Sequence, residues 1–131
     1  MKLDKITKPE SSKLYNYVCQ VLDWLDGDTL KVKIDLGFDI EANKHVRVFG
    51  INAREIHSKD IEERKAGVKA RTFAQMLAPV SSYILVKTHQ GNREQEKFGR
   101  WLADITLRDG RNFSDVMIEE RHAVPYFGGK R

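Results

Sequence analysis

The stretch DWLDGDTLKVKIDLG, residues 23 to 37, combines a tight turn with a strand of regular alternation. Apolar and polar side chains alternate from Leu30 to Ile34, which is the period of a half-buried strand. Asp26 and Asp28 flank Gly27 immediately before this strand. Aspartate and glycine are common in turns between paired strands, and two neighbouring carboxylates also suit a metal ion. The stretch therefore predicts a β-hairpin and leaves open whether its aspartates serve the turn alone or bind a metal.

Size and composition indicate one globular domain. The 131 residues are 40% hydrophobic and 32% charged, which argues against disorder, and the longest apolar runs are too short to span a membrane. We assign residues 14–127 to the domain, 1–13 to a flexible N-terminal arm and 128–131 to a tail. The formal net charge of +4 suits a polyanionic partner. Cys19 is the only cysteine, so an internal disulfide is excluded and a small buried side chain is expected there.

The order of the predicted elements is that of a small β-barrel. Five strands with a helix between the third and fourth predict an α+β, mainly β fold, a five-stranded OB-fold barrel with two to three helices. An open sheet would give a similar pattern and is the alternative. The predicted elements begin with strands near 15–21, 30–34 and 45–51. A helix follows, with Asp60 and Glu63 at capping-box spacing at its start and Pro79 at its stop. The remaining elements are strands at 82–88 and 99–110 and a last helix from about Ser114 to Pro125.

A second cluster of polar residues lies in RVFGINAREI, residues 47–56. Arg47 stands at an apolar position of the third predicted strand, and a buried guanidinium is costly unless it meets an anion. That anion is either a carboxylate of the protein or a phosphate, and the sequence leaves both open. Asn52, Ala53 and Glu55 follow in the turn that leaves the strand.

A third cluster, KFGR at residues 97–100, precedes the last predicted strand. A basic pair in such a position is by itself typical of an ordinary surface. Together, however, the three clusters resemble the motifs of the staphylococcal, micrococcal-type (thermonuclease) nuclease family, in order and with a helix between the second and third. The family's Asp-Gly-Asp-Thr resembles residues 26–29, its strand arginine followed five residues later by Asp-Thr-Pro-Glu resembles Arg47 with residues 52–55, and its Lys-Tyr-Gly-Arg resembles residues 97–100.

The resemblance covers the chain from about Tyr15 to Phe127 and implies a calcium-dependent phosphodiesterase for DNA and RNA, with magnesium as the alternative ion. Hard oxygen ligands suit these ions, and a cation with two arginines stabilises the charge that gathers on an attacked phosphate. Glu55 is expected near the attacking water, and whether it takes or orients a proton stays open. By matching motif positions, the metal ligands are Asp28, Asn52 and the Ala53 carbonyl, the catalytic residues are Arg47, Glu55 and Arg100, and Lys97, Phe98, Tyr126 and Phe127 border the nucleotide.

Three departures from the family pattern bear on this expectation. Asn52 replaces an aspartate, which keeps an oxygen ligand but removes one negative charge, so calcium is expected to bind more weakly. Arg54 replaces a proline, which is expected to loosen the turn before Glu55 and to add a cation near the metal. Phe98 replaces a tyrosine and lacks its hydroxyl group.

Three functions are compatible with the sequence. The first is a metal-dependent nuclease that acts by in-line attack of water on DNA and, as a second substrate, RNA. The second is a non-catalytic OB-fold module that binds single-stranded nucleic acid by stacking and basic charge. The third is a structural barrel whose charges pair internally. We expect a monomer without membrane association. We also expect a cytoplasmic location, because the chain as it stands shows no secretory signal, and a bacterial or phage origin.

Overall fold

The structure is a computed structural model that describes residues 14–89 and 100–127. The described chain is mainly β, with a closed five-stranded barrel, a two-stranded sheet and two helices. The predicted arm and tail lie outside the described residues. The elements in chain order are β1 (Asn16–Asp26), β2 (Thr29–Asp35), β3 (Glu41–Val48), β4 (Gly50–Ala53), α1 (Ile61–Leu77), β5 (Tyr83–Thr88), β6 (Arg100–Thr106), α2 (Phe113–Glu119) and β7 (Ala123–Tyr126).

The first three strands form the antiparallel meander that the alternation predicts. Val21 of β1 lies opposite Val32 of β2, and Leu30 of β2 lies opposite Val46 of β3. All four side chains are buried in the core. The turn at residues 27–28 joins β1 to β2, so the predicted hairpin is confirmed.

The last two barrel strands close the sheet on itself. β5 is antiparallel to both β1 and β6, and β6 runs parallel to β3, which gives the order β1-β2-β3-β6-β5. Closure pairs every barrel strand on both sides and buries the inward side chains. The predicted five-stranded barrel is therefore confirmed as a closed barrel, and the open sheet is excluded.

The third predicted strand, 45–51, has the wrong bounds. β3 begins at Glu41, and the chain breaks after Val48 because Gly50 has a φ of 89°, a conformation that side chains disfavour. After this break the chain continues as β4, which leaves the barrel and pairs with β7. The break matters for the site, because it separates Arg47 and Asn52 onto two different strands.

The end of the last predicted helix is also wrong. α2 stops at Glu119, and the chain then forms β7, in which Pro125 lies opposite Ile51 of β4. Proline lacks the N–H group that a central strand needs, but an edge strand tolerates it. The two-stranded sheet consists of edge strands, so Pro125 does not stop the chain from pairing there.

The main helix, α1, forms where its cap and spacing predict it. Asp60 caps the helix by accepting the N–H groups of Glu62 and Glu63. The helix buries Gly67, Ala70 and Ala74 and packs against β1. Neither α1 nor α2, the helices of residues 14–89 and 100–127, combines the length and apolar character that crossing a bilayer requires.

One aromatic pair joins the helices to the barrel. The indole N–H of Trp24 in β1 donates to the carbonyl of Ala78, just past α1, at 2.8 Å. The ring of Trp24 also stacks on Phe113 of α2, with 5.0 Å between centroids. Both rings are fully buried, so this pair fixes how the two helices sit on the barrel.

Candidate functional site

The turn between β1 and β2 directs Asp28 into the protein. The carboxylate of Asp26 accepts the N–H of Asp28 at 2.9 Å, which is ordinary turn chemistry for aspartate. Gly27 is required for space, because a Cβ there would lie 2.9 Å from the Cβ of Ala53 in β4. The close approach of the turn to β4 brings Asp28, only 3% exposed, against the segment that follows β3. Of the two aspartates, Asp26 therefore shapes the turn, and Asp28 joins a buried cluster of polar groups.

The carboxylate of Asp28 has partners in Ala53, Thr29 and Arg47 as well as in Asp26. Oδ2 accepts the backbone N–H of Ala53 at 2.8 Å, and Oδ1 accepts the hydroxyl of Thr29 at 3.1 Å. Nη2 of Arg47 lies 3.5 Å from Oδ2. A buried carboxylate with this many donors stays ionised without excessive cost.

Arg47 links the end of β3 to the start of the next segment. Its Nη2 donates to Oδ1 of Asn52 at 2.5 Å, and its Nη1 donates to the carbonyl of Val48 at 2.9 Å. The side chain is 8% exposed, as the sequence pattern predicts for an arginine at an apolar position. Of the two anions that the sequence leaves open, the carboxylate of the protein is present, and it belongs to Asp28.

The two aspartates of the turn have opposite pKa shifts. Burial, together with the hydrogen bond and charge of Asp28, raises the pKa of Asp26 to about 7. Burial alone would raise the pKa of Asp28, but the hydrogen bond with Asp26, the charge of Arg47 and the N–H of Ala53 hold it below its usual value. At neutral pH, Asp28 is therefore the anion of the cluster, and Asp26 carries a proton for much of the time.

Glu55 follows two residues after Ala53 and has an exposed side chain. Its backbone N–H donates to Oε1 of Glu63 at 3.4 Å, and the guanidinium of Arg54 donates to Oε2 of the same glutamate at 2.9 Å. Glu63 of α1 therefore restrains the turn that Arg54 was expected to loosen. It also pairs with the positive charge of Arg54.

Three further residues were predicted for the site: Arg100, Lys97 and Phe98. The backbone of Arg100 pairs with His45 in the parallel β3–β6 ladder, two positions before Arg47. Lys97 and Phe98 lie outside the described residues. The register therefore aligns the start of β6 with the strand that carries Arg47.

Tyr126 and Phe127 lie at the entry to β4. Tyr126 pairs with Gly50 in the two-stranded sheet, and the exposed ring of Phe127 meets Phe49 edge-on at 5.5 Å. Phe49 also stacks on His89, with 3.9 Å between ring centroids. These aromatic rings form a surface beside the break between β3 and β4, three positions along β4 from Ala53.

The candidate metal ligands are oxygen atoms only. Within residues 14–89 and 100–127, no group of three or more His, Cys, Asp and Glu side chains gathers where it could hold a metal. The predicted ligands comprise the carboxylate of Asp28, the amide oxygen of Asn52 and the carbonyl of Ala53, and hard oxygens of this kind suit calcium and magnesium. Oδ1 of Asn52 already accepts a bond from Arg47, so a cation would share that oxygen.

The sequence missed three contributors to this arrangement. Thr29 donates to Asp28, Glu63 binds the backbone of Glu55, and Gly67 lies against the backbone of Glu55 and Ile56. Thr29 is part of the Asp-Gly-Asp-Thr motif, so this motif could have indicated it. Glu63 was visible only as a capping-box residue, and its actual direction depends on where α1 docks.

The sequence of this chain matches no model of a known protein family and no curated protein.

Proposed function

We propose that this protein is a metal-dependent nuclease with an OB-type barrel of the staphylococcal nuclease kind, which hydrolyses phosphodiester bonds of DNA and of RNA. The observation that carries the proposal is the meeting of Asp28, Arg47 and Asn52 in one cluster. These residues come from three segments: the β1–β2 turn, the end of β3, and β4. A carboxylate, a guanidinium and an amide oxygen thus meet in the order of the family motifs.

Each of the candidate site residues has its own role in the proposed reaction. Asp28 and Asn52, with the Ala53 carbonyl, hold a calcium or magnesium ion, which supplies positive charge beside the phosphate oxygens when it is bound. Arg47 and Arg100 bind the phosphate, because a planar guanidinium contacts two phosphate oxygens at once. Glu55 orients the attacking water or takes its proton, and its exposed carboxylate is open to solvent for that purpose.

The nucleotide bases need a surface of their own. Lys97, Phe98, Tyr126 and Phe127 are proposed to border the nucleotide. Support for the last two comes from the exposed ring of Phe127 and its contact with Phe49, since exposed aromatic rings stack on bases of any sequence.

A second candidate function is a single-strand-binding module without catalysis. The contacts of Arg47 favour it, because the guanidinium meets Asp28 and Asn52 and has a structural role that needs no phosphate. The loss of a carboxylate at Asn52 also favours it. Against it stands Glu55, an exposed acidic residue two positions after Ala53, whose N–H binds the buried Asp28, since binding alone does not require acidic groups near a polyanion.

One experiment separates these functions. The protein is incubated with single-stranded DNA and with RNA, each with calcium, with magnesium and with a chelator, and both cleavage and binding are measured. Cleavage that requires a divalent ion supports the nuclease. Binding without cleavage in every condition supports the binding module, and neither binding nor cleavage leaves a structural barrel.

A further inference from the structure

The segment that carries Glu55 begins with two residues whose backbone N–H groups are hydrogen-bonded. Ala53 donates its N–H to Asp28 at 2.8 Å, and Arg54 donates its backbone N–H to the carbonyl of His122 at 3.3 Å. The side chain of Glu55 extends into solvent beyond these bonds. Its direction therefore depends on how the backbone at residues 54–56 is held.

Helix α1 contacts that segment through both oxygens of one carboxylate, one bound to a backbone N–H and the other to a side chain. Oε2 of Glu63 accepts from Nη1 of Arg54 at 2.9 Å, and Oε1 accepts from the N–H of Glu55 at 3.4 Å. Glu63 is in the first turn of α1, whose start is fixed by the cap at Asp60. The carboxylate thus ties the turn before Glu55 to a helix that packs on the barrel.

A second contact lies one helical turn further along. Gly67 is buried, and a Cβ on it would lie 2.4 Å from the carbonyl carbon of Glu55 and 2.5 Å from the nitrogen of Ile56. The helix therefore touches the backbone of the segment directly, with no side chain between them. Glu63 and Gly67 lie four residues apart and so face the same side of α1.

We propose that Glu63 is the positioning residue that aims Glu55 at the substrate, with Gly67 as the surface against which the segment rests. The inference rests on the proposed function, because it concerns the direction of the residue that acts on water. It also explains how an arginine can occupy position 54, where the resemblance has a conformationally fixed proline: the ion pair with Glu63 restricts the turn instead.

The physical character of the Arg54–Glu63 pair makes the role testable. The two side chains are 48% and 33% exposed, and exposed ion pairs add little to global stability. A structural role for Glu63 would appear as a loss of stability, whereas a positioning role would appear as a loss of turnover with stability unchanged. Turnover is sensitive to small displacements of a reacting group.

The test compares Glu63→Met with Glu62→Met in the full chain, because methionine lacks both oxygens through which Glu63 accepts these bonds, whereas glutamine would keep one of them. Glu62 is adjacent on α1, is 85% exposed and pairs only loosely with Lys65 at 3.8 Å, so it controls for the loss of one charge. We expect Glu63→Met to speed hydrogen exchange at the Glu55 amide by roughly tenfold. We expect its kcat for single-stranded DNA to fall about tenfold, with KM and the urea midpoint of unfolding unchanged. Arg54→Gln, which leaves the bond from Glu63 to the Glu55 amide, should give a smaller fall.

Each result has a defined meaning. Unchanged exchange at Glu55 in Glu63→Met, an equal fall in kcat for Glu62→Met, or a fall in the urea midpoint parallel to that in kcat overturns the positioning role. If the wild-type protein cleaves nothing with any divalent ion, the proposed function fails instead. The exchange measurement then still decides, without any activity, whether Glu63 holds the Glu55 segment.

Discussion

The carboxylate of Asp28 and the guanidinium of Arg47 lie 3.5 Å apart, and both side chains are almost fully buried. The pair joins the β1–β2 turn to the end of β3, and the bond from Arg47 to Asn52 extends the connection into β4. A single group of contacts thus fixes the relative positions of the residues proposed to bind the metal and the phosphate. The same contacts make the site a part of the folded core.

Removal of Arg47 should therefore destabilise the fold. Arg47→Met leaves the Asp28 carboxylate buried without its cation, and we expect the free energy of unfolding to fall by about 3 kcal/mol, measured by urea denaturation. Arg111→Met is the control, because Arg111 forms an exposed pair with Asp109. A loss no larger than that of the control would show that the Asp28–Arg47 pair does not stabilise the protein.

The stability of the metal-free protein should depend on pH through Asp26. The pKa of Asp26 is about 7 in the folded state and near 3.8 in the unfolded chain, so the folded state binds more protons between these values. The free energy of unfolding should accordingly fall as pH rises from about 4 to about 7 on account of this group. Asp26→Asn keeps the oxygen that accepts the Asp28 N–H and removes the titration.

We expect Asp26→Asn to be more stable than the wild type at pH 8 by about 1 to 2 kcal/mol, the full effect of the shift being reduced by solvent screening. The advantage should vanish near pH 4. Urea denaturation across this range, in the presence of chelator, provides the measurement, and Asp39→Asn on the exposed β2–β3 turn provides the control. An advantage of Asp26→Asn that is constant with pH would contradict the assigned pKa.

Asn52→Asp should strengthen metal binding. The change adds a negative charge to the proposed ligand set while retaining the oxygen that accepts from Arg47. We expect calcium affinity, measured by calorimetry, to rise about tenfold because divalent ions respond strongly to ligand charge. Asn43→Asp, on an exposed position of β3, adds the same charge away from the site. Equal effects of the two substitutions would mean that Asn52 is not a ligand.

Gly67→Ala should destabilise the protein although alanine is the better helix former. An alanine in a free helix would gain about 1 kcal/mol over glycine. Here its Cβ would overlap the backbone of Glu55 and Ile56, so we expect a net loss of stability and a displaced Glu55 segment. Urea denaturation measures the first effect and amide exchange at Glu55 the second. A variant more stable than the wild type would show that α1 has room to move away.

The barrel strands and α1 could be predicted because their signals are local. The alternation in β2 and the cap at Asp60 depend only on neighbouring residues, and both are confirmed. The β4–β7 sheet could not be predicted in this way, because it joins segments some seventy residues apart and one of them contains Pro125. Gly50 was read as a residue inside a strand, whereas its positive φ ends β3 there.

In the candidate site, too, the residues that belong to short motifs could be predicted, whereas a contact that depends on the packing of distant segments could not. Asp28, Arg47 and Asn52 were chosen from short motifs, and they meet in one cluster. Glu63 was assigned to the helix cap, yet its carboxylate contacts Arg54 and Glu55, nine and eight residues away. That direction follows from the docking of α1 on the barrel, which no local pattern encodes.

The most direct test of the proposed chemistry is the rate at which the calcium-loaded protein cuts a labelled single-stranded oligonucleotide, compared between the wild type and Glu55→Gln. We expect cleavage by the wild type that chelator stops, a fall in the cleavage rate of at least about a hundredfold in Glu55→Gln, and unchanged oligonucleotide binding. Glu41→Gln, at the far end of β3, should cut like the wild type. Cutting by Glu55→Gln at the wild-type rate would show that Glu55 does not act on the attacking water.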